Sequence, residues 1–459
     1  MVGVIKIVDI CTFMLCKRNA MFSTDSQTWV DLQIFSNVKS RLSIAGLFEK
    51  EVSSLKGKKM LDEMFRYPLL GEEEIKSRVG VIQYFSAEST QKMKIYIEAL
   101  DFIEYYLTLD QVSSKISLID GLRRFIGQFF KSDNEYYVIK RSIKYFAELI
   151  EQVYLFAKDI RSFSGSIGKL SNRIINIVEQ SGFNKLIWKK DKKLSFYEIE
   201  KFDHLLRYSN KEQVKDLLNV IYQIDVYQAV AAIMVKYNFV FAEPAKGTTL
   251  DIKGLFHPLL SKPVANDIEL NGENNIAFIT GANMAGKSTF MKAFGIAIYL
   301  AHMGFPVPAK SMRFSMCDGL YTSINVPDDL LLGYSHFYAE VKRIKHVAQQ
   351  MDGSKSFVIL FDELFRGTNV KDAYEATVAI IRAFSKVKNT MFIFSSHILE
   401  AAEELSKELP NIRFCCFQTE FANSGLSYSY LMKKGISNDR FGMYIIRKEG
   451  IEDILGQIS

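Results

Sequence analysis

The sequence predicts two parts in series, a helical N-terminal half and an α/β domain of the P-loop NTPase class. Three observations carry this. From about Ser26 to Ala245 glycine and proline are scarce and apolar residues recur at three- and four-residue spacing, the period of helices that bury one face. Past Lys246 short apolar runs alternate with helical stretches, as strands of a mainly parallel, buried sheet do. Between two such elements lies Gly281-Ala-Asn-Met-Ala-Gly-Lys-Ser288, so that strand, glycine-containing loop and helix arrive in the order a phosphate-binding loop requires.

The helical half is read as residues 26–245 and the α/β domain as residues 246–459, with residues 1–25 an N-terminal extension. Met1 to Cys16 resembles a signal h-region only faintly, because Lys6 and Asp9 interrupt it and no small-residue cleavage site follows; Met21 is an alternative start. Ile143, Phe146, Ile150, Val153 and Ala157 form one apolar stripe, and Val214, Leu217, Leu218, Ile221, Ile224 and Val230 another within Lys211–Val235. Both predict helix packing. Ser162 to Ser171, rich in Ser and Gly, predicts a loop. Lys185 to Lys193 holds five lysines beside Trp188, one of two tryptophans. Lys185, Lys189, Lys190, Lys192 and Lys193 are therefore candidates for contact with a DNA backbone, where neutralised phosphates release counterions; the competing reading is a solvated turn between helices. Strands are predicted at Asp267–Leu270, Ile276–Ile279, Phe357–Phe361, Met391–Phe394 and Arg413–Phe417.

At 459 residues the chain is too long for one core and predicts two to four domains. The formal charge of +6 divides as +5 for residues 1–245 and +1 for residues 246–459, a mild excess that permits nucleic-acid contact without requiring it. Five cysteines form no C-x-x-C pair, which favours a reduced, cytoplasmic setting over a disulfide framework. No run of 18 uncharged apolar residues occurs, so no membrane span is expected.

The chemistry centres on the loop. Residues Gly281, Ala282, Asn283, Met284, Ala285, Gly286, Lys287, Ser288 and Thr289 are expected to bind ATP, their backbone N–H groups turned inward at a helix N-terminus that favours anions. Lys287 would reach the β- and γ-phosphates, and Ser288 would ligate Mg²⁺. Phe357-Val-Ile-Leu-Phe-Asp-Glu-Leu364 is an apolar strand ending in two carboxylates. Asp362 would hold the same Mg²⁺ and Glu363 would polarise the attacking water. Past another buried strand, Phe394-Ser-Ser-His397 offers an imidazole able to donate to developing phosphate charge.

Together with Gly304-Phe-Pro-Val-Pro-Ala309, Asp328-Asp-Leu-Leu-Leu-Gly-Tyr-Ser-His-Phe337 and Asp362-Glu-Leu-Phe-Arg-Gly-Thr368, these motifs resemble the ATPase domain of the MutS family of mismatch-repair proteins. The resemblance continues upstream through His257-Pro258 and Val264-Ala-Asn-Asp267, similar to the family's segment near the nucleotide base. More weakly, Thr28–Phe35, Gly57–Arg66, Tyr67–Leu69, Ile75–Arg78 and Ile224-Asp-Val226 resemble parts of its helical core and levers. It implies an ABC-type ATPase domain behind an all-α core/lever domain, working as a homodimer. Each nucleotide would lie between one subunit's P-loop and a signature loop of the other, here Gly333-Tyr-Ser335, with Ser335 reaching the partner's γ-phosphate and Gly333 part of the same trans signature. Ala282 replaces the family's usual proline, and Phe256 and Ser323 stand where arginines are common. The residues before Ser26 are too few for the family's mismatch-reading and connector domains. Phe146-Ala-Glu148 and Phe241-Ala-Glu243 do not lie where its Phe-x-Glu wedge would.

The function expected is that of a Mg²⁺-dependent MutS-like ATPase coupling hydrolysis to DNA binding in mismatch repair or a related DNA transaction. The alternative is an ATP-driven structural switch acting on a protein or RNA assembly.

Overall fold

The computed structural model describes residues 21–36, 42–87, 92–109, 134–324, 336–351, 353–365, 367–422 and 425–437. In chain order the first helices are α1 (Ser26–Asp31), α2 (Ile44–Glu49), α3 (Leu55–Arg66), α4 (Glu72–Ser86), α5 (Ile97–Thr108), α6 (Asn134–Asp159), α7 (Gly165–Gln180), α8 (Asn184–Ile187), α9 (Phe196–His204), followed by a π-helical turn over Leu205–Ser209, and α10 (Lys211–Tyr237). The chain folds into two compact units. One takes residues 47–64 and 76–236; the other takes residues 1–46, 65–75 and 237–459.

The first unit is helical. Its long α6 packs against α5, α7, α8 and α9, because the stripe of Ile143, Phe146, Ile150, Val153 and Ala157 is buried along its whole length. Phe146 meets Phe183 edge-on at 5.6 Å. The second stripe, on α10, is likewise buried. Polar groups enter this core only with partners, as burial without a hydrogen bond is costly. Tyr106 Oη and Arg207 Nε donate to Asp203 Oδ1 at 2.6 and 2.7 Å. The buried Asp225 carboxylate accepts from Ser53 N, Ser54 N and Ser54 Oγ at 3.2, 2.8 and 2.6 Å. The Ser162–Ser171 segment is a loop only as far as Ser164. Helix α7 begins at Gly165, since Ile167, Leu170, Ile174 and Val178 are buried on one face and Ser171 Oγ bonds back to Ala157 O at 2.6 Å. Among the described residues α10 is the one helix long and apolar enough to cross a membrane, and 67% of its most apolar window is buried within the structure.

The second unit is built on two sheets. Strands β1 (Glu243–Pro244), β2 (Thr249–Leu255), β3 (Asn266–Asn271) and β5 (Ser311–Phe314) form the smaller, in the order β1-β5-β2-β3. The larger contains β4 (Ile276–Gly281), β6 (Gly319–Ser323), β7 (Phe357–Asp362), β8 (Met391–Ser395), β9 (Ile412–Ala422) and β10 (Gly425–Lys434) in the order β10-β9-β4-β8-β7-β6. All its pairs are parallel except β9 with β10. Every residue of β4, β7 and β8 is buried, as a sheet covered on both faces demands. On one face Phe361, Phe392 and Phe394 stack with centroids 5.5–5.9 Å apart. Helix α11 (Lys287–His302) contacts β4, β6, β7 and β8. The unit's remaining helices are α12 (His336–Gln350), α13 (Val370–Phe384) and α14 (Leu399–Glu408). The five strands expected from sequence are present. Strands β1, β2, β5, β6 and β10, more polar or shorter, were not expected.

The second unit also gathers residues that the sequence division places in the N-terminal extension and in the helical half. Ser23 pairs with Gly319 in parallel register, with Leu320 N donating to Ser23 O at 2.9 Å. Buried Asp31 accepts from Thr322 Oγ1 at 2.7 Å and Ile324 N at 2.8 Å. Leu32 lies so close to α11 that a Cβ on Gly295 would stand 2.7 Å from its Cδ2. Composition cannot reveal this grouping, because α1 is as helical as the half it precedes.

Replacing Asp225 with alanine leaves two buried donors, Ser54 N and Ser54 Oγ, and the part-buried Ser53 N without their charged acceptor. The expected cost is about 2–4 kcal/mol, read as a lower urea midpoint at unchanged slope; an unchanged midpoint overturns the assignment.

Candidate active site

The site lies where strands of the larger sheet end. Gly281 closes β4 with φ 141° and approaches β9 so closely that a Cβ would sit 2.7 Å from Phe417 O. After the loop, Gly286 turns into α11 with φ 108°. The chain therefore delivers a helix N-terminus, with its unpaired amides, to the end of a buried strand. Lys287 is 3% exposed, and its Nζ donates to Gly281 O at 2.8 Å and Ala282 O at 3.1 Å. It also lies 3.2 Å from Glu363 Oε1. Met284, 80% exposed and at φ 68°, is the outward tip of the loop, whereas Ala285 is buried.

Strand β8 connects the loop to the carboxylates. Ser395 is paired in register with Ile279 on one side and Asp362 on the other. Its hydroxyl donates to Asp362 Oδ1, and Glu363 N donates to Ser395 O at 3.0 Å. This holds Glu363 at φ 47°, a left-handed conformation that costs a non-glycine residue about 1 kcal/mol or more. The Glu363 carboxylate lies between Lys287 and His397, whose Nδ1 is 3.6 Å from Glu363 Oε2. Lys287, Glu363 and His397 are thus brought together, with Asp362 beside them.

A cavity of about 560 Å³ opens over the loop. Asn283, Gly286, Lys287, Ser288 and Thr289 line it from α11 and the loop, and Glu363 from the end of β7. Phe256, His257, Val264, Asn266 and Tyr430 also line it. Burial and the Lys292 ammonium lower the His257 imidazole to about 4, so it is neutral at pH 7. Tyr430 arrives through a bulge in β10, where the register with β9 shifts between Tyr428 and Met432. Asn266 clamps the bulge from both sides, donating to Tyr430 O at 3.0 Å and accepting from Met432 N at 2.7 Å. A Cβ on Gly286 would meet the Tyr430 ring at 3.3 Å. A triphosphate on the loop has room for its base and sugar in this space. For a metal, the Ser288 hydroxyl and Asp362 carboxylate fit a hard cation that keeps phosphate oxygens and water as its other ligands. Among the described residues no group of three or more His, Cys, Asp or Glu side chains could hold a metal unaided.

The sequence motifs gave no role to Ser395 or Tyr430, and gave Asn266 only as part of the segment that resembles the one near the nucleotide base. Ser395 sits inside the Ser-Ser-His segment and was legible as a neighbour, while Tyr430 depends on a bulge without sequence signature. Gly333 and Ser335 lie outside the described residues. The five candidate lysines belong to the helical unit. There Lys189 pairs with Glu198 at 2.6 Å and Lys190 with Glu151, whereas Lys185, Lys192 and Lys193 are exposed.

A parallel sheet ending in this loop, with Lys287, Ser288 and the Glu363 carboxylate lining one cavity and Asp362 preceding Glu363 at the strand end, defines a nucleotide-binding P-loop domain. Residues 277–456 match the family model for MutS domain V, an ABC-type ATPase domain. The chain is 25% identical over 433 residues to the DNA mismatch repair protein MutS of Aquifex pyrophilus, covering 92% of this chain and 46% of that protein. It is 33% identical over 243 residues to the MutS of Fusobacterium nucleatum, covering 51% and 27%, and 30% identical over 275 residues to that of Wolbachia pipientis wMel, covering 59% and 32%. By these matches residues 277–456 are similar to MutS domain V and the chain as a whole is similar to MutS proteins. It spans less than half the length of these relatives.

The neutral His257 predicts a pH effect. Its folded value of about 4 lies below the unfolded 6.5, so between these the unfolded chain binds the extra proton and stability falls as pH falls; below about 4 the loss is complete. In His257→Gln the slope of unfolding free energy against pH, measured by urea titration between pH 4.5 and 6, is expected to drop by up to about 1.4 kcal/mol per pH unit. An unchanged slope means that His257 is not buried neutral.

Proposed function

We propose that the chain is a Mg²⁺-dependent ATPase that couples hydrolysis to DNA binding, acting in mismatch repair or a related DNA transaction in the cytoplasm, with no membrane partner. The meeting of Lys287, Ser288 and Glu363 in the loop cavity, with His397 and Asp362 next to Glu363, carries this reading. The loop amides and Lys287 bind the phosphates, the ammonium exchanging its carbonyl and Glu363 contacts for phosphate oxygens. Ser288 and Asp362 would hold Mg²⁺, which when bound would supply charge neutralisation to the phosphates. Glu363, fixed by its backbone bond to Ser395, orients and polarises the attacking water. His397, beside that carboxylate, donates toward the γ-phosphate as charge develops. DNA as partner is supported by the names of the relatives and by the exposed lysines near Trp188.

A loop that supplies backbone amides and one lysine leaves one face of a bound triphosphate to be covered from elsewhere, and developing charge is stabilised best where water is excluded. Gly333 and Ser335 of a second copy would supply that cover, making the working unit a homodimer.

Glu363→Gln is expected to retain ATP but turn it over at least a hundredfold more slowly, because the amide keeps the shape and loses the base; single-turnover hydrolysis at the wild-type rate would displace Glu363 from this role. Lys287→Ala is expected to weaken ATP binding itself, measured by equilibrium titration. Mixing Lys287→Ala with Ser335→Arg tests sharing between subunits: each mixed dimer contains one site with both parts intact, so part of the activity returns. Verified heterodimers as inactive as either parent exclude it.

A further inference from the structure

The helical unit contains a second cavity, of about 210 Å³, between α6 and the turn that follows α8. Its walls include Ile143, Ala147 and Leu186, all buried, together with the ring of Tyr137, itself 62% exposed. Around this apolar slot stand seven cations: Lys140, Arg141 and Lys144 from α6, and Lys189, Lys190, Lys192 and Lys193 from the turn. The sequence separates these two groups by some forty-five residues, and only the fold joins them. Carboxylates neutralise three of the seven, Glu148 at 3.8 Å from Lys144, Glu198 at 2.6 Å from Lys189, and Glu151 on Lys190. Lys140, Arg141, Lys192 and Lys193 have no carboxylate partner among the described residues and are exposed. Trp188, 80% exposed, adjoins the same turn.

An apolar slot lined by an exposed tyrosine and ringed by cations without a carboxylate partner, Arg141 among them bonded to Tyr145 Oη at 2.6 Å, is complementary to a ligand that is planar and apolar in one part and anionic on either side. A nucleotide within a single strand has this chemistry. A base in duplex is stacked and paired and cannot enter a slot, whereas an unstacked base can, and its π-face suits an aromatic wall whatever its identity. We propose that this surface binds single-stranded DNA, seating one unstacked base in the slot beside Tyr137, with the flanking phosphates on Lys140, Arg141, Lys192 and Lys193. The inference rests on the reading of DNA as partner and specifies its form. It makes single-stranded or locally unpaired DNA the preferred substrate of the helical unit, with little dependence on base sequence.

The test uses the full chain without nucleotide and measures fluorescence anisotropy with a labelled oligothymidylate of about 16 nucleotides and with a duplex of equal length, across a salt series. The wild type is expected to bind the single strand at least tenfold more tightly than the duplex. Lys192→Glu with Lys193→Glu should lower single-strand affinity at least tenfold and reduce the salt slope by about 1.4, at about 0.7 per lost phosphate contact. Tyr137→Ala, at an exposed position that does not threaten folding, should cost the single strand about tenfold and leave duplex binding and basal ATPase unchanged. Equal affinity of wild type for both forms, or variants that bind the single strand like wild type, overturns the proposal. Duplex binding without single-strand binding overturns this inference alone. Loss of all binding to either form removes the DNA reading with it, and retention on anionic phospholipid vesicles in place of DNA identifies a different ligand.

Discussion

Ser395 fixes the geometry on which the active site depends. It is the residue of β8 that faces both Ile279, two residues before Gly281, and Asp362, where the acidic strand ends. Its carbonyl receives Glu363 N and its hydroxyl reaches Asp362, while the next residue, Ser396, donates its N–H to Ile279 O at 3.1 Å. One strand end thus ties the loop strand to the carboxylate strand. Because parallel strands have a single register once their faces are buried, Lys287 and Glu363 need no flexible segment to find each other, and the left-handed backbone at Glu363 is held by the ladder on which it sits.

The same unit recruits distant pieces of chain to protect that arrangement. Helix α11 starts at the loop and is buried over nearly all its residues, so a shift of the helix would move the anion-binding amides with it. Its far end is held by Tyr299 Oη on Phe65 O and by Leu69 N on His302 O at 2.8 Å. His302 in turn meets Cys317 Sγ at 3.2 Å. Burial lowers this imidazole to about 4 and raises the Cys317 thiol to about 12, which keeps both neutral and makes the pair a packing element of the interior. Elsewhere in the unit, Asp25 and Asp31 of the N-terminal segment accept from Arg343 and from the backbone N–H of Ile324. Residues on both sides of 325–335 are thereby attached to α1.

The helical unit follows a different logic. Its core is apolar stripes with a few satisfied polar groups, and its surface carries the excess charge. The division of lysines near Trp188 into paired and unpaired sets follows from packing: Glu151 and Glu198 lie on α6 and α9, close enough to neutralise Lys190 and Lys189 but not Lys192 or Lys193. Charge on this surface is therefore less than the sequence count suggests and more localised, and it surrounds an apolar slot.

By itself the sequence determined the order of the parts and the chemistry of the loop. Gly281 to Ser288 behind an apolar strand, Asp362-Glu363 at the end of another and His397 past a third were legible because each motif is local and lies next to the strand that presents it. The two helical stripes were legible for the same reason, a periodicity of a few residues. Only the tertiary structure decided that residues 21–36 belong with the α/β unit, that Ser395 links two strands, that a bulge clamped by Asn266 brings Tyr430 to the loop cavity, and that Tyr137 and Lys140 stand beside Lys192. Each of these depends on contacts between residues far apart in the chain, set by which apolar faces find cover and which buried polar groups find partners, and no local pattern encodes them.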